Sequence, residues 1–318
     1  MSHANVSQRK GYGRLTTSQH HLNKLCELNI EEQLETSPWP FVEADELDSM
    51  SCIQLEDIEI DGKQAGSASA VTFFMPFHQF DHRMKETFSW GWFELGEGQA
   101  PRVYAGFRAG WFMRPWQKVD PLESDELRID FFGGTAWQCT LEDRWEVRET
   151  TGLILPYRCI VDYAYSHEYQ SDIVFFPKDE DRPHLACIME DTAISPDKIL
   201  RSEVHGAITL IKHQMRNDRL KDHYTKPVML YTFQRDQYAR ITQAHYDVKM
   251  GKIVLRQSRQ FDLRGPKPTE DAWLLMRWML NTPVGDTMVK SKGDELPTIA
   301  EVEEPAISPM RPAHALSA

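Results

Sequence analysis

The chain is short of cysteine, and its cysteines form no pattern. Five are spread over 318 residues (Cys26, Cys52, Cys139, Cys159 and Cys187), with no C-x-x-C pair. An odd, unpatterned set argues for reduced thiols rather than a disulfide framework. Long apolar runs are also missing. No stretch approaches the roughly eighteen apolar residues that a membrane-crossing helix needs. No apolar run follows the first basic residues, so no secretory leader is expected. The expected location is cytoplasmic or nuclear. The signatures G-x-x-x-x-G-K-[ST], G-x-G-x-x-G after a strand, G-x-S-x-G and H-E-x-x-H do not occur. That counts against the common nucleotide-binding and hydrolase classes. There is no internal repeat.

What the chain does have is charge, unevenly placed. The net charge is −12. Residues 195–268 hold 15 Lys+Arg against 7 Asp+Glu, and the remainder holds 21 against 41. A basic module in an acidic chain has two readings. It faces a nucleic acid, another polyanion or an acidic partner, or it docks on the acidic part of its own chain.

The same stretch carries the clearest local signals. Ser195-Pro196-Asp197 predicts a helix start, with serine as cap and proline at the first turn. Ile199, Val204, Ile208, Ile211 and Met215 then make a helical stripe, with Arg201, His205, Lys212, Arg216 and Arg219 mostly on other faces. Gly206 weakens that helix by about 1 kcal/mol unless something packs close to it. Lys226-Pro227 opens a covered strand, 228–233. Arg235-Asp236-Gln237 predicts a turn. Residues 238–248 and 252–263 alternate, joined at Lys249-Met250-Gly251 as a hairpin. Thr269-Glu270-Asp271 caps a second helix, 272–281, apolar nearly all round and so expected to be buried.

The rest is read more coarsely. Residues 1–19 are polar and expected to be disordered. A short helix is expected within 20–34. Residues 52–60 and 68–77 read as a strand and its return through Asp61-Gly62. Residues 73–132 are rich in aromatics between glycines, which suggests a β-sandwich or open barrel. Such a surface stacks sugars or bases, or its aromatics simply fill a β core. After Pro283 the chain is Pro-, Glu- and Ala-rich without aromatics, so 286–318 is expected to be a disordered tail. The fold class is α+β: a β-rich aromatic domain over 20–194, then a helix–three-stranded meander–helix unit over 195–285. An alternative keeps one continuous domain, with the strand at 185–189 joined to the later sheet.

Over about residues 199–285, the run from His205 to Leu263 (HGAITLIKHQMRND…RQSRQFDL) resembles a segment of filamentous-fungal proteins of no assigned activity. The resemblance therefore implies no reaction.

Three constellations carry chemistry. Glu203 on the helix, Asp236 before the second strand, then Asp247 and Lys249 follow the order used by PD-(D/E)XK nucleases. There, carboxylates hold a divalent ion and a lysine polarises water or phosphate. Lys249 departs from that pattern by falling in a turn. Only this reading calls for a cofactor, Mg2+. His78, Asp81 and His82 would suit zinc or iron if they shared a helical face. Finally, Arg240, Gln243, His245, Arg256, Gln257 and Arg259 stud the meander. Alternation sets Arg240, Thr242, Arg256 and Ser258 apart from Gln243, His245, Gln257 and Arg259. Such a sheet face contacts a phosphate backbone, or is an outward polar face. The leading expectation is a non-catalytic interaction protein whose basic module meets a polyanion or acidic protein. The alternatives are the nuclease-like enzyme and a small-molecule binder built on the aromatic part.

Overall fold

The structure is a computed structural model describing residues 165–247 and 250–288, segments at 40–43, 53–60, 73–78, 144–148 and 157–162, and isolated positions between 23 and 112. The first 22 residues, most of the 20–34 helix expectation, much of the aromatic stretch, Asp81, His82, Lys249 and the tail from 289 lie outside the described residues.

Among the described residues, mixed sheets and two helices make the fold α+β. The first strands are short: β1 (Phe41–Val42), β2 (Ile53–Asp57), β3 (Phe74–Met75), β4 (Trp145–Arg148) and β5 (Tyr157–Asp162). The long β6 (Tyr165–Pro177) and β7 (Leu185–Asp191) precede β8 (Ile199–Leu200) and α1 (Arg201–Met215). The meander is β9 (Val228–Gln234), β10 (Tyr238–Asp247) and β11 (Lys252–Gln257). Then come β12 (Phe261–Asp262), α2 (Glu270–Met279) and β13 (Thr282–Pro283).

The main sheet runs β2-β11-β10-β9-β7-β6-β4, with β12 on β10 and β5 on β6. It crosses residue 194 without a break, since β7 lies parallel to β9 with Leu185 opposite Val228 and Asp191 opposite Gln234. Parallel neighbours need a crossover, and here α1 supplies it. At the far edge β2 lies parallel to β11. Of the return strand expected over 68–77, the described part is β3, which pairs with β13 rather than with β2.

Side-chain alternation then divides the apolar residues between two cores. On the α1 face, Cys187, Met189, Leu230, Ala244, Tyr246 and Leu255 pack with Val204, Ile208, Ile211 and Met215. On the α2 face, Ala186, Ile188, Tyr231, Phe233 and Ile241 pack with Leu275, Met276 and Trp278. Each of the valine, leucine, isoleucine, phenylalanine and methionine side chains contributes about 1.5–3 kcal/mol by leaving water. Tyr231 anchors the second core further. Its hydroxyl donates to the Trp278 carbonyl (2.7 Å) and accepts from Asn281 Nδ2 (2.8 Å).

The first helix begins later than the sequence suggests. Ser195 Oγ accepts from Lys198 N at 2.9 Å and closes a turn rather than capping a helix. Ile199 and Leu200 are taken up by pairing with β1. The helix starts at Arg201, where the Glu203 carboxylate accepts from Leu200 N (2.9 Å). Nor is α1 amphipathic as expected: Arg201, Lys212 and Gln214 are buried along with the apolar stripe. Leu34 and Val42 join the core on its side. Gly206 has the close neighbour that its presence called for. A Cβ there would stand 2.7 Å from Met189 Sδ, so the glycine sets how near α1 lies to β7.

The turn at 235–237 forms with Asp236 and Gln237 both at φ 63°. A left-handed conformation costs a non-glycine residue about 1–2 kcal/mol, less for Asp. Asp236→Gly is therefore expected to leave stability unchanged or slightly raised. Asp236→Val, β-branched at the same φ, should cost about 1–2 kcal/mol. Urea midpoints of the two variants check this. The hairpin between β10 and β11 also forms, with Gly251 at φ 64° and Met250 N bonded to Asp247 Oδ1 (3.0 Å).

Candidate functional site

Glu203 sits one turn into α1, where it faces the sheet rather than solvent. Its Oε2 accepts from Leu200 N, from Arg240 Nη2 (2.7 Å) and from Gln257 Nε2 (2.7 Å). Its Oε1 accepts from Arg240 Nε (2.8 Å). The guanidinium of Arg240 also bonds the carbonyls of Ser195 (3.2 Å) and Lys198 (2.9 Å). Both side chains are out of water, at 0% and 2% exposure. A carboxylate with four donors already on it has its lone pairs committed. Asp236 and Asp247 flank the ten-residue β10, at opposite ends of it. At about 3.3 Å per residue that places them about 30 Å apart. The structure thus does not bring Glu203, Asp236 and Asp247 to one point, and Lys249 lies outside the described residues. Among the described residues, no group of three or more His, Cys, Asp or Glu is placed to hold a metal. His78 is exposed, while its two expected co-ligands lie outside the described residues.

The six expected binding residues fare differently from one another. Register pairs Thr242 with Gln257 and Gln243 with Arg256. Opposed residues in an antiparallel pair share a face, so Arg240, Thr242 and Gln257 point to α1 and Gln243, His245 and Arg256 to the other side. The grouping read from alternation therefore changes, because the register across the hairpin decides it. Neither group is an outward face: Arg240, Gln243, His245, Arg256 and Gln257 are all buried. Arg256 Nε donates to Glu56 Oε2 at 2.7 Å, across the β2–β11 pair. This ion pair holds the Glu56 carboxyl below its usual range. Burial, then the neighbouring Arg256 charge, pushes the His245 imidazole down to about 4. It packs its ring 5.1 Å from that of Phe73. Lys198 reaches Glu43 (2.6 Å) and Arg219 reaches Glu180. Lys198, Arg219 and Arg256, three of the fifteen cations of residues 195–268, thus pair with acids elsewhere in the same chain.

Arg259 is the one of the six that stays at the surface, 44% exposed and bonded to Asp271 Oδ1 at 2.7 Å. It opens onto a cleft of about 460 Å³ lined by α2 and by His78, Phe80 and Lys85. No protein family, no curated protein and no solved structure matches this chain. The cleft is therefore read from its own chemistry. Trp273 and Leu274 line it half-buried, a departure from the fully buried helix expected. Phe80 packs against Trp273 with the rings tilted by 55° and their centroids 5.8 Å apart. Lys85 Nζ lies 5.9 Å from the Trp273 ring centroid. Arg277, one turn on from Trp273, donates from Nε to the Phe77 carbonyl at 2.7 Å. Asp271 is held at both oxygens, by Arg259 and by the Asp262 amide (2.7 Å). Sequence reasoning missed Trp273, Lys85 and Arg277 as surface groups. The i, i+4 spacing of Trp273 and Arg277 was the available signal, because it puts an aromatic and a cation on one helix face.

Among the described residues no helix is long and apolar enough to cross a membrane.

Proposed function

We propose that the protein is a non-catalytic interaction protein. On this reading the cleft beside α2, where the aromatic part of the chain meets the helix–meander–helix unit, receives an acidic segment of a partner protein that carries an apolar anchor. One observation carries the reading: in this solvent-open cleft three cations, Lys85, Arg259 and Arg277, against two acids, Glu270 and Asp271, surround the half-buried Trp273 and Phe80. The aromatic floor would take a leucine- or phenylalanine-sized side chain, and the cations would take carboxylates on either side of it. Buried aromatics and arginines are the residue types that carry most interface energy. The polyanion alternative has less behind it, since five of the six meander residues expected to meet phosphates are inside the protein.

The test is fluorescence anisotropy with a labelled peptide library: alternating Asp and Glu around one central apolar residue. The matched lysine library and a DNA duplex are run beside it at two salt concentrations. The acidic library is expected to bind, more weakly at high salt. Trp273→Ala and Arg259→Glu, each checked for fold by circular dichroism, should weaken binding by about tenfold or more, as loss of an interface anchor does. Equal binding of the lysine library, binding of the duplex alone, or no change in Arg259→Glu would each overturn the reading.

A further inference from the structure

The chain carries in its own sequence a segment of the kind the α2 cleft would receive. The last described residue is Met288, and residues 289–318 lie outside the described residues. That stretch holds Asp294, Glu295, Glu301, Glu303 and Glu304, and no lysine or arginine occurs between Gly293 and Met310. Leu296, Ile299 and Val302 recur every third residue among these acids. Glu301-Val302-Glu303-Glu304 is thus an apolar side chain with carboxylates on both sides of it, the chemistry proposed for the partner.

Chain length puts this segment within reach of the cleft. After α2, Thr282 and Pro283 pair with Met75 and Phe74 of β3, and the Thr287 carbonyl accepts from Tyr224 N at 3.0 Å. Met288 is 54% exposed, so the chain leaves the described part at the surface. Arg277, which lines the cleft, precedes Met288 by eleven residues. Those span at most about 40 Å even if fully extended. Val302 follows Met288 by fourteen residues, a span of up to about 46–50 Å. The chain beyond Met288 is therefore long enough to return to Arg277.

Charge and tethering act in the same direction. Lys85, Arg259 and Arg277, set against Glu270 and Asp271, leave the cleft with a surplus of positive charge, while residues 294–304 carry five acids and no cation. A segment on the same chain also has a local concentration on the order of 1 mM. If it bound at about 100 μM when free, the tether would fill the cleft about ten to one. An outside ligand would then bind about tenfold more weakly, because it must first displace the segment.

We propose that residues 294–304 occupy the α2 cleft of their own chain and screen it from partners. Val302 is directed to Trp273 and Phe80, and the glutamates around it to Lys85, Arg259 and Arg277. The contact is autoinhibitory, and it rests on the cleft being a seat for acidic segments.

The test uses the full chain with the photoreactive residue p-benzoylphenylalanine in place of Ala300. Irradiation and peptide mapping by mass spectrometry should join position 300 to residues 270–277 of the same chain, in a yield unchanged by dilution. Arg259→Glu, whose side chain lies at the surface, should lower that yield. A second arm repeats the anisotropy titration of the acidic peptide library with Glu301→Lys/Glu303→Lys/Glu304→Lys, which alters no described residue. This variant should bind the library about tenfold more tightly than the unsubstituted chain. The proposal is overturned by the lack of a cross-link in the cleft, by cross-links that form only between molecules, or by equal, measurable library affinity in the two chains. Failure of the partner reading looks different: neither chain binds the library, while the cross-link to residues 270–277 still forms and the contact stands.

Discussion

Glu203→Ala is expected to lower stability by about 3–5 kcal/mol, because it strands the Arg240 guanidinium inside the protein. Among the described residues the carboxylate is the only acid bonded to Arg240, and the two are almost wholly out of water. The same change frees the Leu200 amide at the start of α1 and the Gln257 amide on β11. One side chain thus joins a helix start to two strands. A buried pair, however, also carries its own desolvation cost. Replacing both partners with leucine should therefore cost less than removing Glu203 alone. Urea unfolding of Glu203→Leu, Arg240→Leu and Glu203→Leu/Arg240→Leu measures the coupling directly, with Glu203→Ala run beside them. A double variant less stable than both single ones would mean that the pair is a net source of stability.

Lys226→Met should act in the opposite direction. Lys226 is 2% exposed, and the bond shown for its ammonium is to the His223 carbonyl (2.6 Å). Burial pushes its pKa down from 10.5 to about 8. The sign follows from proton counts. Below pH 8 both folded and unfolded chains hold the proton, and the folded state bears the whole cost of burying the charge. Between about pH 8 and 10.5 the folded chain has shed the proton while the unfolded chain still holds it. Stability of the unsubstituted protein should therefore rise with pH across that window. Each pKa unit is about 1.4 kcal/mol. Allowing about 1 kcal/mol for the lost hydrogen bond, Lys226→Met should be more stable by about 2 kcal/mol at pH 7. The gap should close towards pH 10.5. Urea midpoints at pH 7 and pH 10 test both parts. A variant less stable at pH 7 would show that the hydrogen bond outweighs the burial.

Much of residues 195–281 was legible because its signals are local. The Arg235–Gln237 turn, the Gly251 hairpin and the Thr269 cap each depend on neighbours within four residues. Thr269 Oγ1 does accept from Ala272 N at 3.0 Å. The misreadings share a cause. Ser195 is as good a cap by composition as any, yet β1, some 155 residues earlier, claims Ile199 and Leu200 first. The polar residues of β10 look outward by alternation. In the fold β9 and β11 flank that strand and both its faces are covered. Arg256 was read as a contact for phosphate because its carboxylate, Glu56, lies 200 residues away in the sequence. The α2 cleft was illegible for the same reason, since Phe80 and Lys85 come to Trp273 only through the tertiary fold.

The parallel pairing of β2 with β11 has a kinetic side. During synthesis Ile53–Asp57 emerges about 195 residues before the strand it lies against. At about 5–20 residues per second, that strand waits roughly 10–40 s for β11. Contacts of such sequence separation also slow folding, because loop closure must precede any gain from pairing. β1 and β3 wait in the same way for β8 and β13. Refolding is therefore expected to be slow for the chain's length, with the β9–β10–β11 meander assembling before its N-terminal edge strand arrives.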